Sequence, residues 1–447
     1  MNELSAIDTF LNDHSDTETV DAFLIDLNGK AFGKRHPVTD LPGLVEKGSS
    51  MCAAMQLTDV TGVSWDTAGL GFSDGDPDAP TVMVPGTLAP VPWAATPRAQ
   101  CLMRFWDGAP LWHEPRTVLE QVVARFVELD LQPVTAVELE FYLIDRQRTA
   151  DGGPLPAPAP GSGRVNPGGH VFNLDELDAY APVIDAIRSA CLAQGLPVTT
   201  IAKEYGPGQY EINLNHVADP VQAADHAALL RRAVTGAARA QGLDATFMSK
   251  PFGPESGSGL QINLSFVRPD GSNAFDPATG GDTLLGHAIG GMQAMLAETL
   301  AIFAPNFHAY RRFEPDQFTP VTRDWGENNR SVAFRVPASD GPGRRIEHRA
   351  AGAEANPYLV MAAVLAAAHH GLTRRIEPTA PATGNAGSEV DPALPATLWS
   401  ALERLTAATH LPEYFEPRYI EAYAHAKQAE FDAFMAEILP REHHWYL

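Results

Sequence analysis

The stretch Val-Glu-Leu-Glu-Phe, which begins at Val137, decides how we interpret this chain. Successive side chains of a β-strand point to opposite faces of the sheet. Val137, Leu139 and Phe141 are therefore expected to face a core, while Glu138 and Glu140 share the other face. Two neighbouring carboxylates repel each other unless a cation lies between them. The strand thus predicts a site for a hard divalent ion such as Mg²⁺ or Mn²⁺.

Three further stretches alternate in the same way and carry chemistry on one face. Their polar faces are Glu211, Asn213 and Asn215; Gln261, Asn263 and Ser265; and Arg345, Glu347 and Arg349. Each stretch taken alone is typical of a strand that faces water. Together they supply carboxylates for metal, and guanidinium groups that bind carboxylates and phosphates through paired hydrogen bonds. This combination is typical of metal-assisted phosphoryl transfer.

The texture of the sequence changes near position 107. Short alternating runs broken by Gly, Asp and Pro predict a small sheet-rich domain up to that point, and long helices alternating with strands follow. We therefore predict an N-terminal domain over residues 1–107 and a larger domain over residues 108–447. Segments rich in Pro and Gly at 149–169 and 378–395 predict surface loops. Helices are predicted at 115–129, 174–194, 219–241, 283–303, 356–370, 396–406 and 417–438.

Composition excludes several functional classes. The net charge of −23 disfavours binding to nucleic acid or to anionic membranes, and mildly attracts cationic small molecules. Three widely spaced cysteines predict neither a disulfide framework nor a thiolate metal site. The N-terminus lacks the basic start and apolar run of a signal peptide, and the apolar stretch 358–368 is too short to span a bilayer. We expect a cytoplasmic protein.

Six motifs in a fixed order resemble the glutamine synthetase family, and the similarity covers nearly the whole chain. They are Glu138–Phe141, Glu204–Glu211, Lys250–Phe252 with Gly257–Gly259, Asn329–Ser331 with Phe334–Pro337, Arg345–Arg349 and Asn356–Leu359. The N-terminal stretches Asp26–Gly29, Gly33–Arg35, Pro92–Trp93 and Ala99–Gln100 are similar to the branch that makes γ-glutamylpolyamines, such as γ-glutamylputrescine, or similar amides.

The resemblance implies an α+β fold. It consists of an N-terminal β-grasp-like domain and a catalytic domain with a curved antiparallel sheet flanked by helices. It also implies a homo-oligomer of stacked rings, usually a dodecamer, with each active site between two neighbouring subunits.

The resemblance further assigns roles by motif match. Glu140, Glu204 and Glu211 would hold the metal nearer glutamate, and Glu138, Glu347 and Gln261 the metal nearer ATP. Arg312 would bind the substrate α-carboxylate, with Gly257 and Ser256 beside the substrate. Arg330 and Arg349 would stabilise the transferring phosphoryl group and the substrate side-chain carboxylate. Arg335 and Arg345 would face the nucleotide phosphates, with Ser265 and Asn263 also on the nucleotide side.

The implied reaction is a two-step ligation that uses ATP and Mg²⁺ or Mn²⁺. ATP phosphorylates the γ-carboxylate of glutamate or a close analogue, which gives an acyl phosphate with a good leaving group. An amine then attacks to give an amide, ADP and phosphate.

One departure from the family pattern concerns the amine. Ammonia-using members carry a glutamate in the flap, which closes the site and takes a proton from ammonium. Alignment through Thr319-Pro320 places Phe318 at that position. A phenyl ring cannot act as a base, but its face can pack against an alkyl or aromatic amine. Phe318 therefore predicts a primary amine other than ammonia, unless it only packs in the flap.

Other departures leave alternatives open. Gln261 and Asn263 stand where histidines are usual, and Ser256 stands where asparagine is usual near the substrate amino group. A glutamine carbonyl is an acceptable hard-oxygen ligand, so the second metal site is either kept with a changed affinity or lost. The acid is then glutamate or an analogue. A catalytically silent, ring-forming homologue with a structural or regulatory role remains the alternative function.

Histidines elsewhere give weaker signals. His348 alternates with the polar face of its strand, which predicts a packed core histidine. His369 and His370 are predicted to end a helix, where cationic side chains favour the helix dipole.

Overall fold

The fold is α+β in this computed structural model, which describes residues 3–447. Its strands form two separate sheets. In chain order they are β1 Thr19–Ile25, β2 Ala31–Pro37, β3 Ser49–Cys52, β4 Asp78–Met83, β5 Ala89–Pro90, β6 Arg98–Phe105, β7 Gln132–Arg148, β8 Pro154–Pro156, β9 Val198–Lys203, β10 Gln209–Leu214, β11 Asp244–Thr246, β12 Leu260–Val267, β13 Trp325–Glu327, β14 Phe334–Val336 and β15 Ile346–His348.

The helices lie between and after these strands. They are α1 Glu3–Asp13, α2 Leu41–Glu46, α3 Pro115–Ala124, α4 Leu174–Ala179, α5 Ala181–Ala193, α6 Pro220–Ala240, α7 Gly281–Phe303, α8 Pro357–Arg374, α9 Leu398–Thr406, α10 Pro417–Ala436 and α11 Pro440–Tyr446. Prolines in the first turn and side-chain caps fix several starts, as at Asp219, which accepts hydrogen bonds from the backbone of Val221 and Gln222.

The first sheet has six strands in the order β2-β1-β6-β4-β3, with β5 also paired to β6. Its strands pair antiparallel except for β1 and β6, which run parallel.

The second sheet has nine strands and carries the polar faces. Its order is β13-β14-β15-β12-β7-β10-β9, with β8 and β11 also paired to β7. Pairing is antiparallel except between β13 and β14. The predicted strand around Val137 is thus the middle of a 17-residue central strand.

Packing joins the two parts of the chain. Phe23 and Ile25 of β1, and Leu27 of the β1–β2 turn, belong to the same buried cluster as the second sheet and its helices. Polar contacts reinforce the contact: the Asn356 amide donates to the Asp26 carbonyl at 2.6 Å, and Lys427 Nζ donates to Asn28 Oδ1 at 2.6 Å. The start of α8 is therefore tied to the β1–β2 turn.

Several predicted boundaries were wrong. The helix predicted at 174–194 divides at Tyr180, since Pro182 starts a new helix there. His369 and His370 do not end α8, which continues to Arg374 and ends at Arg375 in the left-handed conformation. Helices α1, α2 and α11 were not predicted from the sequence. Within residues 3–447, no helix is long and apolar enough to cross a bilayer.

Candidate functional site

The central strand β7 separates apolar and acidic side chains as its sequence predicts. Val137, Leu139 and Phe141 are at most 1% exposed. Glu140 lies directly opposite Glu211 on β10. Side chains of directly opposed residues on one face of a sheet lie close together. Glu138, Glu140 and Glu211 are therefore brought together on the polar face.

Glu138 begins a chain of hydrogen bonds that crosses to β12. Asn263 Nδ2 donates to Glu138 Oε1 at 2.7 Å, and Arg345 Nε donates to Asn263 Oδ1 at 2.8 Å. The asparagine therefore links the carboxylate to the arginine, because its side chain has an NH2 group that donates and a carbonyl oxygen that accepts.

Gln261 makes a second link of this kind. Its Nε2 donates to Glu140 Oε1 at 3.3 Å, and its Oε1 accepts from Arg349 Nη1 at 2.9 Å. Glu140 also accepts from the backbone N–H of Gly259 at 2.9 Å. The Gln261 carbonyl therefore already accepts a hydrogen bond from an arginine. The Gln261 side chain contacts Glu140, and its residue is paired with Glu138 across the β12–β7 strand pair.

Glu347 on β15 is held by two arginines. Arg335 Nη1 lies 2.8 Å from one carboxylate oxygen, and Arg349 contacts the other. All three side chains are at least mostly buried. Charged hydrogen bonds of this kind are strong when water is excluded, so Glu347 fixes the positions of both guanidinium groups.

The carboxylates perturb one another strongly. Burial, and then the neighbouring Glu140, raise the pKa of Glu204 to about 7. Burial, followed by the charges of the other four site glutamates, raises the pKa of Glu211 well above its usual range. The pKa of Glu138 is raised by burial and by Glu347, and that of Glu140 is raised by burial. The five carboxylates predicted to bind metal thus lie close enough together for their charges to interact.

This donor set fits divalent cations. Among the described residues, no side chain or backbone group donates a hydrogen bond to the Glu204 or Glu211 carboxylates. Buried carboxylates without donors are costly unless a cation neutralises them. Oxygen ligands are those that Mg²⁺ and Mn²⁺ prefer.

A cavity of about 200 Å³ opens beside this acidic group. Glu140, Glu204, Glu211 and Gln261 form one part of its wall, and it is also lined by Ser256, Gly257, Arg312, Phe318, Arg330 and Arg349. Every residue predicted on the glutamate side of the site therefore lines this cavity.

Arg312 reaches this cavity because Gly257 has no side chain. A Cβ at Gly257 would lie 2.6 Å from Arg312 Cγ and 2.9 Å from the Ser249 carbonyl oxygen. The Arg312 guanidinium is buried, donates to the Ala350 carbonyl at 3.3 Å, and has an unpartnered Nε. Its charge therefore remains available to an anion.

Phe318 lies at the exposed side of the cavity and is 54% exposed. Its ring stacks on Tyr205, with centroids 5.8 Å apart and planes at 26°. Tyr205 and Phe172 line the same cavity. Neither residue was predicted to line the site, although Tyr205 lies within the Glu204–Glu211 motif.

A second cavity of about 540 Å³ lies on the other side of the acidic group. Glu138, Asn263, Ser265 and Arg345 line it, and all four were predicted at the nucleotide side. The two cavities are therefore lined by carboxylates two positions apart on β7.

Lys203 supports the site and was missed by the sequence analysis. Its side chain is fully buried, lies 3.4 Å from Glu176 Oε1, and donates to the Gly206 carbonyl at 2.8 Å and to the Glu204 carbonyl. A buried lysine needs such partners. It thereby fixes the backbone that carries Glu204 and Tyr205.

Comparison with known protein families gives one match, to the catalytic domain of glutamine synthetase, over residues 113–446. The chain belongs to the glutamine synthetase family. Enzymes of this family use ATP and a divalent metal ion and act on small-molecule substrates.

Characterised relatives in this family make γ-glutamyl amides. The chain is 38% identical over 443 residues to γ-glutamylputrescine synthetase of Escherichia coli K12, and the aligned region covers 98% of this chain and 93% of the relative. It is 30% identical over 396 residues to glutamate–isopropylamine ligase of a Pseudomonas species, with 84% of each chain covered. These similarities confirm the predicted family and its γ-glutamylputrescine synthetase-like branch.

Solved structures confirm the predicted fold class. A GmaS–ADP complex superimposes with a TM-score of 0.82 at 25% identity, covering 98% of this chain and 99% of the other.

Proposed function

We propose that this glutamine synthetase family member is an ATP-dependent ligase that joins the γ-carboxylate of glutamate to a primary amine larger than ammonia. Its relatives, a γ-glutamylputrescine synthetase and a glutamate–isopropylamine ligase, confirm the ligase class and γ-glutamyl amide formation. The observation that carries the choice of amine is the Phe318–Tyr205 pair in the cavity that also holds Glu204 and Glu211.

The shape of this cavity suits an alkylamine. Its acidic wall attracts an ammonium group, and its aromatic wall offers ring faces to the alkyl chain or to the cation. A phenylalanine at position 318 cannot bind ammonium through an ionised side chain. Putrescine and isopropylamine have the apolar carbons that such a wall can contact, and ammonia has none.

Residues of the chain have distinct proposed roles in the reaction. Arg312 binds the α-carboxylate of glutamate, with Gly257 and Ser256 beside it. Arg349 and Arg330 hold the γ-carboxylate and the phosphoryl group as it moves from ATP. Arg345 and Arg335 face the nucleotide phosphates, with Asn263 and Ser265 in the nucleotide cavity.

The carboxylates would hold the divalent ions, for which we propose Mg²⁺ or Mn²⁺. Glu140, Glu204 and Glu211 serve the glutamate side, and Glu138 and Glu347, with Gln261, serve the nucleotide side. The ions supply positive charge that offsets the phosphate charge. Since the Gln261 carbonyl accepts a hydrogen bond from Arg349, metal binding there would require this bond to be shared or released.

The reaction then proceeds in two steps. The γ-carboxylate oxygen attacks the γ-phosphorus of ATP and releases ADP, which leaves a γ-glutamyl phosphate held by Arg330 and Arg349. The neutral amine attacks the acyl carbon, phosphate departs, and the amine loses its proton to give the amide.

An assay of ADP release tests this proposal. Glutamate is combined with putrescine, isopropylamine, ethanolamine or ammonium, and the amide is identified by mass. We expect amine-stimulated ADP release and a γ-glutamyl amide with at least one alkylamine. Release with ammonium alone would contradict the argument from Phe318. Absence of stimulation with every acid and amine would instead favour the silent homologue.

Organisation beyond one site is also proposed. We propose domains at 1–107 and 108–447, and the two separate sheets support this division. We also propose a dodecamer with active sites shared between subunits, which family resemblance and the exposed side chains of Phe72, Trp445 and Tyr446 support. Native mass spectrometry tests the assembly. We also propose a cytoplasmic location, because the proposed reaction consumes ATP, and cell fractionation tests this location.

A further inference from the structure

A group of potential metal ligands lies outside the ligase site, near the C-terminal end of α8. His370 is in the last turns of that helix, and His410 and Glu413 belong to the short segment after α9. One ligand atom from each residue lies within 4.8 Å of the other two. The two imidazole rings have centroids 4.6 Å apart. This spacing allows all three side chains to reach one ion.

His370 has an unusual environment for a histidine. It is only 4% exposed, and its Nδ1 has no hydrogen-bond partner among the described residues. Its neighbour His369 differs, because Nδ1 of that ring lies 3.0 Å from the Tyr414 hydroxyl. A buried polar atom without a partner costs free energy. The His370 ring is therefore not engaged by hydrogen bonds from the described residues and is free to bind an ion through a ring nitrogen.

We propose that His370, His410 and Glu413 bind one transition-metal ion, with Zn²⁺ as the best chemical match. Two imidazole nitrogens and one carboxylate oxygen form a ligand set that suits Zn²⁺, and Mg²⁺ prefers oxygen ligands instead. Three protein ligands leave a fourth position for water. Burial, and then the neighbouring His410, lower the pKa of His370, which favours the neutral ring that a metal ligand requires.

Surrounding contacts hold the ligands in place without blocking them. The Glu298 carboxylate accepts the backbone N–H groups of His410 and Leu411 at 3.1 and 3.0 Å, which fixes the segment. Arg374 Nη2 lies 3.1 and 3.3 Å from the two oxygens of Glu413. This ion pair is largely exposed and therefore weak, so a metal ion can share the carboxylate.

His370, His410 and Glu413 line neither of the two cavities of the ligase site. Helix α8 starts after Asn356, close to the β1–β2 turn, and His370 lies fourteen residues further along. At 1.5 Å per residue this is about 21 Å. An ion bound there would join the C-terminal part of α8 to the segment that follows α9, and would stabilise that junction.

Metal titration of the intact protein tests the proposal. Protein treated with a chelator is saturated with Mg²⁺ to occupy oxygen-rich sites, and Zn²⁺ is then added while bound metal per chain is measured. Co²⁺ serves as a second probe, since its visible absorption reports imidazole coordination. His410→Ala is the test variant, and His425→Ala, which removes an exposed histidine on α10, is the matched control.

We expect one tight Zn²⁺ per chain in the wild type and in the control, and weaker binding in His410→Ala on the order of 100-fold or more. Zinc should also raise the melting temperature of the wild type but not of His410→Ala. Equal affinity of His410→Ala and wild type would overturn the proposal, as would the absence of a Mg²⁺-resistant Zn²⁺ site. Unchanged Mg²⁺-dependent ligase activity in His410→Ala shows that the variant folds, and Glu413→Gln provides a second ligand variant if it does not.

Discussion

Replacing Glu204 by glutamine should stabilise the metal-free protein at neutral and alkaline pH while abolishing ligation. Burial and the neighbouring Glu140 raise the pKa of Glu204 from 4.5 to about 7. Between these values the folded chain holds a proton that the unfolded chain has lost, so stability falls as the pH rises through this window. Glutamine keeps the shape of the side chain and removes the charge.

The size of the effect follows from the pKa. Each pKa unit corresponds to about 1.4 kcal/mol, so ionising Glu204 in the folded protein costs on the order of 3 kcal/mol above pH 7. Unfolding entropy of about 2.1 cal/mol/K per residue gives about 0.9 kcal/mol/K for a chain of this length. Glu204→Gln should therefore raise the melting temperature by about 3 °C at pH 8, and by much less at pH 5.

Thermal unfolding of chelator-treated protein at pH 5 and pH 8 measures this difference. Glu389→Gln is the matched control, since that side chain is exposed, and it should melt like the wild type at both pH values. Added Mg²⁺ should raise the melting temperature of the wild type at pH 8 more than that of Glu204→Gln.

The reasoning would be refuted if the melting temperature changed between pH 5 and pH 8 by the same amount in Glu204→Gln as in the wild type. That result would mean that Glu204 is already neutral, or solvated, in the folded protein. Loss of activity without any gain in stability would point to a role in binding alone.

Three further substitutions test other parts of the site. Arg349→Ala should lower kcat on the order of 10³-fold, measured by ADP release, whereas a fall confined to amine affinity would contradict its role at the phosphoryl group. Gly257→Ala should displace Arg312 and raise KM for glutamate by at least about tenfold with less change in KM for ATP, and equal changes in both would argue against the assignment. Lys203→Met should destabilise the chain by about 3–5 kcal/mol in denaturant unfolding. Adding Glu176→Gln should restore part of that loss in stability. An equal loss in the double variant would contradict a buried ion pair between Lys203 and Glu176.

The polar faces of the sheet could be predicted because strand periodicity is a local property. Alternation around Val137 determines which side chains face the core, and the structure places Glu138 and Glu140 on the other face. Helix starts were accessible for the same reason, since prolines and capping residues act within one turn. The ends were harder. Helix α8 passes through His369 and His370 because its last turns pack in the core, which local sequence does not record.

Residues that depend on distant partners could not be predicted. Lys203 is buried because Glu176 lies next to it, and Tyr205 lines the cavity because Phe318 stacks on it from a segment more than a hundred residues later. Side-chain amide contacts are equally non-local. Gln261 was predicted to offer its side-chain oxygen as a metal ligand. The hydrogen bond that this oxygen accepts from Arg349 depends on the pairing of β15 with β12, which the local sequence does not show.

Strand β7 lines both cavities, and this has a consequence for how the enzyme can change. Glu138 and Glu140 lie two positions apart on a rigid, doubly paired strand, a spacing of about 7 Å. In the proposed reaction, the spacing between the two metal positions, and so between phosphoryl donor and acceptor, would be set by backbone geometry that mutation of side chains hardly alters. Phe318 belongs to a flap outside the sheet. New amines can therefore be accommodated by changing the flap while the energy-coupling half of the reaction stays intact.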